Sequence, residues 1–218
     1  MAAKVGHMPA DEAMRGIERR FMYSPLKHLM QRAYEVPSLL RLARRHGVTI
    51  SSGRVLDAGC GAGFGLETIA HTLHPAELHG CDIDPSAVQR ARTRVPEAIV
   101  SLEDVTSMNY PPDTFDAIFM FGVLHHVPRW QQAVSELERI LTPGGTLLLD
   151  DHPKRSVDLM ERILRIPHPL ESRFRWEELT NAIGDAGLSV VASELHLAGH
   201  FGYVVCTKPD HGSVSSTP

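Results

Sequence analysis

The sequence predicts an α/β domain. Its sheet is seven-stranded and mostly parallel, with helices on both faces, a final antiparallel hairpin and a helical segment in front. Three observations carry that expectation. Between Arg54 and Asp151, short apolar runs alternate with amphipathic stretches, the rhythm of strand–helix–strand units. The apolar runs are nearly uninterrupted, as in parallel strands buried on both faces. The first of them ends in a glycine-rich turn, Gly59-Cys60-Gly61-Ala62-Gly63, that opens into a helical stretch.

Residues 1–50 form the N-terminal segment, expected as a helical lid over a ligand site. Met14, Ile17 and Phe21 repeat at helical spacing, Leu39, Leu40, Leu42 and Ala43 follow Pro37, and Gly47 stops the helix. The segment is too short for a core of its own, so its apolar stripes need a partner surface. Residues 51–208 form the α/β domain. Strands are expected at 55–57, 77–82, 98–101, 117–120 and 146–149, and helices at 64–73, 86–94 and 130–141. Residues 152–176, rich in Pro, His and Arg, break the rhythm and read as a loop plus a helix. A helix at 176–186 is stopped by Gly187. Strands at 188–195 and 201–206 then make the closing hairpin. The polar tail 209–218 is expected to be disordered.

A chain of 218 residues, 43% hydrophobic and 22% charged, suits one ordinary globular domain and excludes a disordered or collagen-like chain. Cys60, Cys81 and Cys206 show no Cys-x-x-Cys spacing, which argues against a disulfide framework and a structural zinc site. No apolar run approaches the ~20 residues of a membrane span, and no secretory leader pattern is present. A cytoplasmic protein without stable membrane insertion is expected, as a monomer or homodimer. The net charge of −4 hides an asymmetry: residues 1–54 carry ten Lys/Arg against four Asp/Glu, the remainder twelve against twenty-two. A basic segment of this kind either attracts an anionic partner or docks on its own acidic domain, and the second is simpler.

The glycine loop is the strongest local signal. Its glycines allow a tight turn and a close approach of ligand to backbone. A dinucleotide fingerprint needs a further glycine at the sixth position, yet Phe64 or Leu66 stands there, depending on the register chosen. No Gly-Lys-Ser/Thr follows to cradle a triphosphate. The loop therefore suits an adenosyl ligand without pyrophosphate better than NAD or ATP. Asp82 ends the second strand about 20 residues beyond the loop, where a carboxylate accepts ribose hydroxyls. Asp104 follows the third strand and is placed to accept from an adenine amino group. Singly, each Asp would more often be a cap or turn residue. Together, at successive strand ends, they point to a nucleoside.

These residues resemble a known family. Residues 54–150 look like the core of the class I S-adenosylmethionine-dependent methyltransferases, type 11, the quinone-methyltransferase-like branch. The stretches that carry the resemblance are Asp57–Gly63, Gly80-Cys81-Asp82-Ile83-Asp84-Pro85, Asp104-Val105, Phe115 through Val127, and Leu141-Thr142-Pro143-Gly144-Gly145-Thr146-Leu147. The five occur in the family's order. The flanks, 1–50 and 152–176, match poorly, and in this family the flanks choose the substrate. The resemblance implies a Rossmann-like fold and S-adenosyl-L-methionine as cofactor. It implies cofactor contacts at Asp57, Gly59, Cys60, Gly61, Gly63, Asp82, Ile83, Asp104, Val105, Phe121 and Gly122.

The implied reaction is methyl transfer to an O, N or C atom of a small-molecule acceptor. The sulfonium leaving group is already activated, so the protein must align the acceptor and exclude water. An acceptor of high pKa also needs a base. Candidates are His125 and His126 after strand four and Asp150, Asp151 and His152 after strand five. His126, Asp151 and His152 are selected as catalytic, with Asp151 orienting His152. These side chains have metal-ligand chemistry, but metal-dependent relatives place an Asp after strand four where this chain has Phe121-Gly122-Val123, so no metal is expected. His7, His28, His46, His71, His74, His79 and His211 read as scattered and solvated, while His168, His196 and His200 stand as alternative bases in the flanking segment. Phe21, Tyr23, Phe174, Trp176 and Tyr203 either line an acceptor pocket or pack in the core, the commoner fate. Two other functions fit less well. One is a nucleic-acid or protein methyltransferase, which lacks its Asn/Asp-Pro-Pro-Tyr/Phe signature here. The other is a cyclase-like enzyme that binds the cofactor without transferring methyl.

Overall fold

The computed structural model describes residues 29, 34–164 and 168–210. Its seven strands form one sheet in the order β3-β2-β1-β4-β5-β7-β6. The strands are β1 (Arg54–Ala58), β2 (Glu77–Asp82), β3 (Ile99–Leu102), β4 (Phe115–Phe121), β5 (Leu141–Asp151), β6 (Ser189–His196) and β7 (Phe201–Thr207). Among the described residues six helices accompany them: α1 (Val36–Arg45), α2 (Phe64–Leu73), α3 (Pro85–Arg94), α4 (Trp130–Ile140), α5 (Lys154–Leu164) and α6 (Trp176–Asp185). β1 to β5 pair in parallel, and β7 runs antiparallel to both β5 and β6.

The pleat divides the core in two. Leu147 and Leu149 face one layer with Ile118, Met120, Trp130, Leu137, Phe174 and Leu179, while Leu148 faces the other with Phe119, Phe121, Leu66 and Ile69. This is why the strands read as continuous apolar runs: both faces are covered. α1 belongs to the second layer. Its Val36, Leu39, Leu42 and Ala43 are buried over β5, β6 and β7. The remainder of the expected lid, residues 1–28 and 30–33, lies outside the described residues, as does most of the expected tail, 211–218.

Local chemistry fixes the ends of these elements. Asp84 caps α3 by accepting the Ser86 N–H at 2.8 Å, and Pro85 occupies the first turn, where its missing N–H costs nothing. Glu178 reaches back to accept the Arg175 N–H at 2.8 Å before α6. Where β7 passes under α6, Gly202 leaves room for the Trp176 ring, which a Cβ would approach to 2.4 Å.

Three expectations change. β5 starts at Leu141, opposite Phe115, five residues before the expected strand, and an irregularity separates that pair from Ala117–Thr146. It also runs on to Asp151, so Asp150 and Asp151 end the strand instead of following it. His79 is not solvated. It lies buried between Tyr110 and Phe115, with its Nε2 2.5 Å from Glu77 Oε1.

Candidate active site

The sheet changes winding direction at β1, whose neighbours are β2 on one side and β4 on the other. A crevice opens outside the carboxyl ends of strands at such a point, and the expected binding residues gather there. Asp57 and Ala58 end β1, and the loop turns at once. The N–H groups of Gly59 and Cys60 both donate to the Cys81 carbonyl at 2.8 Å, and Gly63 donates to the Cys60 carbonyl at 2.9 Å. Gly61 donates to Asp82 Oδ2 at 2.8 Å. A pyrophosphate would need such donors for itself; here those of Gly59, Cys60 and Gly61 hold the loop against β2 and that of Gly63 closes the loop on itself.

Two glycines are required by shape. Gly59 sits at φ +76°, and a Cβ there would come within 2.5 Å of the Val123 side chain. Gly63, at φ +83°, precedes α2 and would meet the Ala91 backbone at 2.9 Å. Gly65 is a packing glycine that the sequence reading did not single out. Its place in the first turn of α2 brings the helix to the buried Asp57, whose Oδ2 would stand 2.9 Å from an added Cβ. A glycine so early in a helix, where alanine is favoured, was the available signal.

Asp82 is the centre of the cradle. Oδ2 holds Gly61, and Oδ1 accepts the Asp84 N–H at 2.9 Å. The two oxygens offer about four acceptor sites, so the carboxylate keeps capacity for a ribose hydroxyl. Burial pushes its pKa above the usual carboxylate range, partly offset by these hydrogen bonds. Ile83, just beyond it, is 47% exposed and offers an apolar surface to a base. Asp104 uses Oδ1 to accept both the N–H of Thr106 (2.8 Å) and its hydroxyl (2.7 Å), and Oδ2 lies 3.9 Å from Arg129. Val105 is buried beside it. Phe121 ends β4 in the core, and Gly122 turns away at φ +63°. Cys60 contributes backbone to this site: burial and the Asp57 and Asp82 carboxylates hold its thiol well above the ordinary pKa.

A second cluster sits at the next strand ends. The short 3₁₀ turn Leu124–His126 follows β4 and crosses the end of β5. Asp151, fully buried, accepts the Leu124 N–H on Oδ2 at 2.7 Å, and its Oδ1 stands 2.5 Å from Nδ1 of His125. The expected partnership therefore changes. The Asp151 carboxylate faces the His125 ring, while His152 gives it only a backbone N–H at 2.6 Å. The His152 ring turns to the His200 carbonyl, 3.1 Å from Nδ1. The register Phe121–Asp150 sets Asp151 beside the turn, and the His152 ring meets His125 edge-on with centroids 5.2 Å apart. His126 packs on His125 with ring centroids 4.0 Å apart, and His168, from the loop after α5, stacks on His126 at 5.0 Å. Sequence reasoning held His168 only as an alternative base in the flanking segment, not as a neighbour of His126. It comes from the insertion, and only the fold brings it here.

The aromatic candidates are core residues where they are described. Phe174 packs on Trp130 at 5.0 Å, Trp176 donates to Ser193 Oγ at 2.8 Å, and Tyr203 is buried. Phe21 and Tyr23 lie outside the described residues. An open cleft of about 530 Å³ lined by Lys154, Arg155, Arg162 and Arg175 is formed by α5 and its neighbours, away from the glycine loop.

A glycine loop with its donors spent, an acidic strand end behind it and imidazoles at the adjoining strand ends define an α/β domain of the class I S-adenosylmethionine-dependent methyltransferase type. The comparisons agree. Residues 56–149 match the family described as "Methyltransferase domain", and this stretch belongs to the type 11 family. A fatty-acid O-methyltransferase of Mycolicibacterium smegmatis is 32% identical over 120 residues, 53% of this chain and 43% of that protein. An S-adenosylmethionine-dependent methyltransferase of the same organism is 32% identical over 157 residues, 67% of this chain and 59% of its own. The chain thus spans about half the length of the curated relatives it matches. The methyltransferase solved with the Haloferax volcanii Trm112 activator shares the fold, with a TM-score of 0.73 at 19% identity over 88% of this chain and 95% of that one.

Proposed function

We propose that the chain is an S-adenosylmethionine-dependent methyltransferase acting on a small-molecule acceptor, with oxygen the favoured atom. One observation carries the reading: Asp82 clasps the glycine loop through Gly61 at 2.8 Å and keeps acceptor capacity for a ribose. The bound sulfonium would supply an activated methyl group. The protein's work is alignment. The loop and Asp82 hold the nucleoside, Asp104 and Ile83 flank its base, and Asp57 with the first turn of α2 fixes the loop from behind. The imidazole cluster forms the polar wall at the ends of β4 and β5, where an acceptor would stand. There the acceptor–carbon bond forms as the sulfur–carbon bond breaks, and the acceptor gives up its proton.

Of the residues selected from sequence, His126 is best placed to receive that proton, because its ring is half-buried at the edge of the cluster. Asp151 is a positioning residue acting through His125, and His152 braces the β7 turn. The fatty-acid O-methyltransferase among the relatives supports a carboxyl or hydroxyl acceptor. We also take the protein to be cytoplasmic, a monomer or homodimer, and to need no nucleic-acid partner. Among the described residues no helix is long and apolar enough to cross a membrane. The test is calorimetry with the cofactor, its demethylated product and NAD, followed by transfer of labelled methyl to a panel of fatty acids, phenols and amines. Binding of the first two and labelling of an acceptor are expected; binding of NAD alone would overturn the reading.

A further inference from the structure

We propose that His125, His126 and His168 bind a divalent transition-metal ion, zinc fitting the donor set best, beside the acceptor position. Each residue offers one ring nitrogen, and the three lie within 4.8 Å of one another. Ligands at the usual zinc–nitrogen distance of about 2.0–2.1 Å stand about 3.4 Å apart in a tetrahedral site. Side-chain movements of about an ångström would therefore complete the set. Three imidazoles with no carboxylate among the ligands select zinc, iron, nickel or copper over magnesium and calcium. Three protein ligands also leave a position open for a further molecule, as in catalytic zinc sites.

The surroundings are built in the way such a site needs. The Asp151 carboxylate, 2.5 Å from His125 Nδ1, fixes a proton there and assigns the lone pair of the neutral ring to Nε2. That carboxylate is itself held by two backbone N–H groups, from Leu124 at 2.7 Å and His152 at 2.6 Å. It also places a negative charge behind the ligands. His168 is tied in through its neighbours: Ser172 Oγ donates to the His125 carbonyl at 2.6 Å, and Arg173 donates to the His168 carbonyl at 3.1 Å. His125 and His168, 43 positions apart in sequence, are thus clamped so that their rings meet, with centroids 5.4 Å apart.

What the ion does rests on the methyl-transfer reading. An acceptor oxygen bound at the open position loses its proton to water more readily, because a cation lowers the pKa of a ligated oxygen. The oxygen–carbon bond then forms as the sulfur–carbon bond breaks. The ion would take over the work assigned to the His126 ring, since a ligating nitrogen cannot accept a proton.

The test uses the full chain, stripped with a chelator and titrated with Zn²⁺ and, for its visible spectrum, Co²⁺. One equivalent should bind, with ligand-field bands that Zn²⁺ displaces. His126→Ala and His168→Ala should each weaken binding at least tenfold, and Asp151→Asn should weaken it ~10–100-fold, the usual cost of losing a ligand's orienting partner. Far-UV circular dichroism checks the fold, and should a His variant unfold, the rise in melting temperature of the wild type with Zn²⁺ still reads the site. Binding unchanged in folded variants, or no shift in the wild type, would overturn the proposal. Cofactor affinity measured on the same stripped sample keeps the two readings apart. Zinc binding without cofactor binding sinks the methyltransferase and spares the metal; the reverse sinks only the metal.

Discussion

A half-buried carboxylate that already accepts backbone N–H groups from Gly61 and Asp84, as Asp82 does, has a predictable response to its ligand and to acid. Removing it by Asp82→Ala should weaken the cofactor by about 1.5–3 kcal/mol, the range for hydrogen bonds to a charged group. Calorimetry measures this directly, and an unchanged affinity would mean that the ribose is held elsewhere, with Asp84 the next residue to vary. The pH dependence follows from burial, which raises the pKa of this group. Hydroxyl donors favour the ionised form, so affinity should be full above the raised pKa and fall as pH drops through it, with Asp82→Asn flattening the profile. The ligand-free fold responds with the opposite sign. A raised native pKa contributes stability below the ordinary carboxylate pKa that is lost as pH rises through the raised one.

Elements were legible where one local rule decided them. The helix at 64–73 was readable to its end residues because glycines precede it and its apolar pattern is regular. β5 was readable only in its second half: Thr142-Pro143-Gly144-Gly145 has the composition of a turn, and only pairing of Leu141 with Phe115 reveals a strand. The placement of the expected cradle residues was legible because they sit next to the strand ends. The imidazole cluster was not. The Asp151–His125 contact depends on the register of two strands, and His168 arrives from an insertion with no periodicity of its own. The loop itself offers a prediction at this scale. Gly63→Ala must hold a left-handed residue, costing about 1–2 kcal/mol, and must also relieve a 2.9 Å approach to the Ala91 backbone. Chemical denaturation should show a loss of at least that size, and a neutral substitution would mean that the α2–α3 contact is looser than described.

At the scale of the whole molecule, the sheet is closed from outside the order of the chain. β7, the last described strand, lies between β5 and β6 and satisfies the edges of both. Until Phe201–Thr207 is in place, β5 presents Leu147, Leu148 and Leu149 along an unpaired edge, the kind of edge that recruits strands from other molecules. A chain ending before Phe201 should therefore aggregate instead of folding to a smaller domain; sedimentation would test this, and a soluble, cooperatively melting fragment would contradict it. The same geometry reaches back into biosynthesis. During translation β1 to β4 can pair before Phe201–Thr207 has left the ribosome, yet β5 keeps its open edge until that strand emerges. The interval between is when this protein most depends on a chaperone.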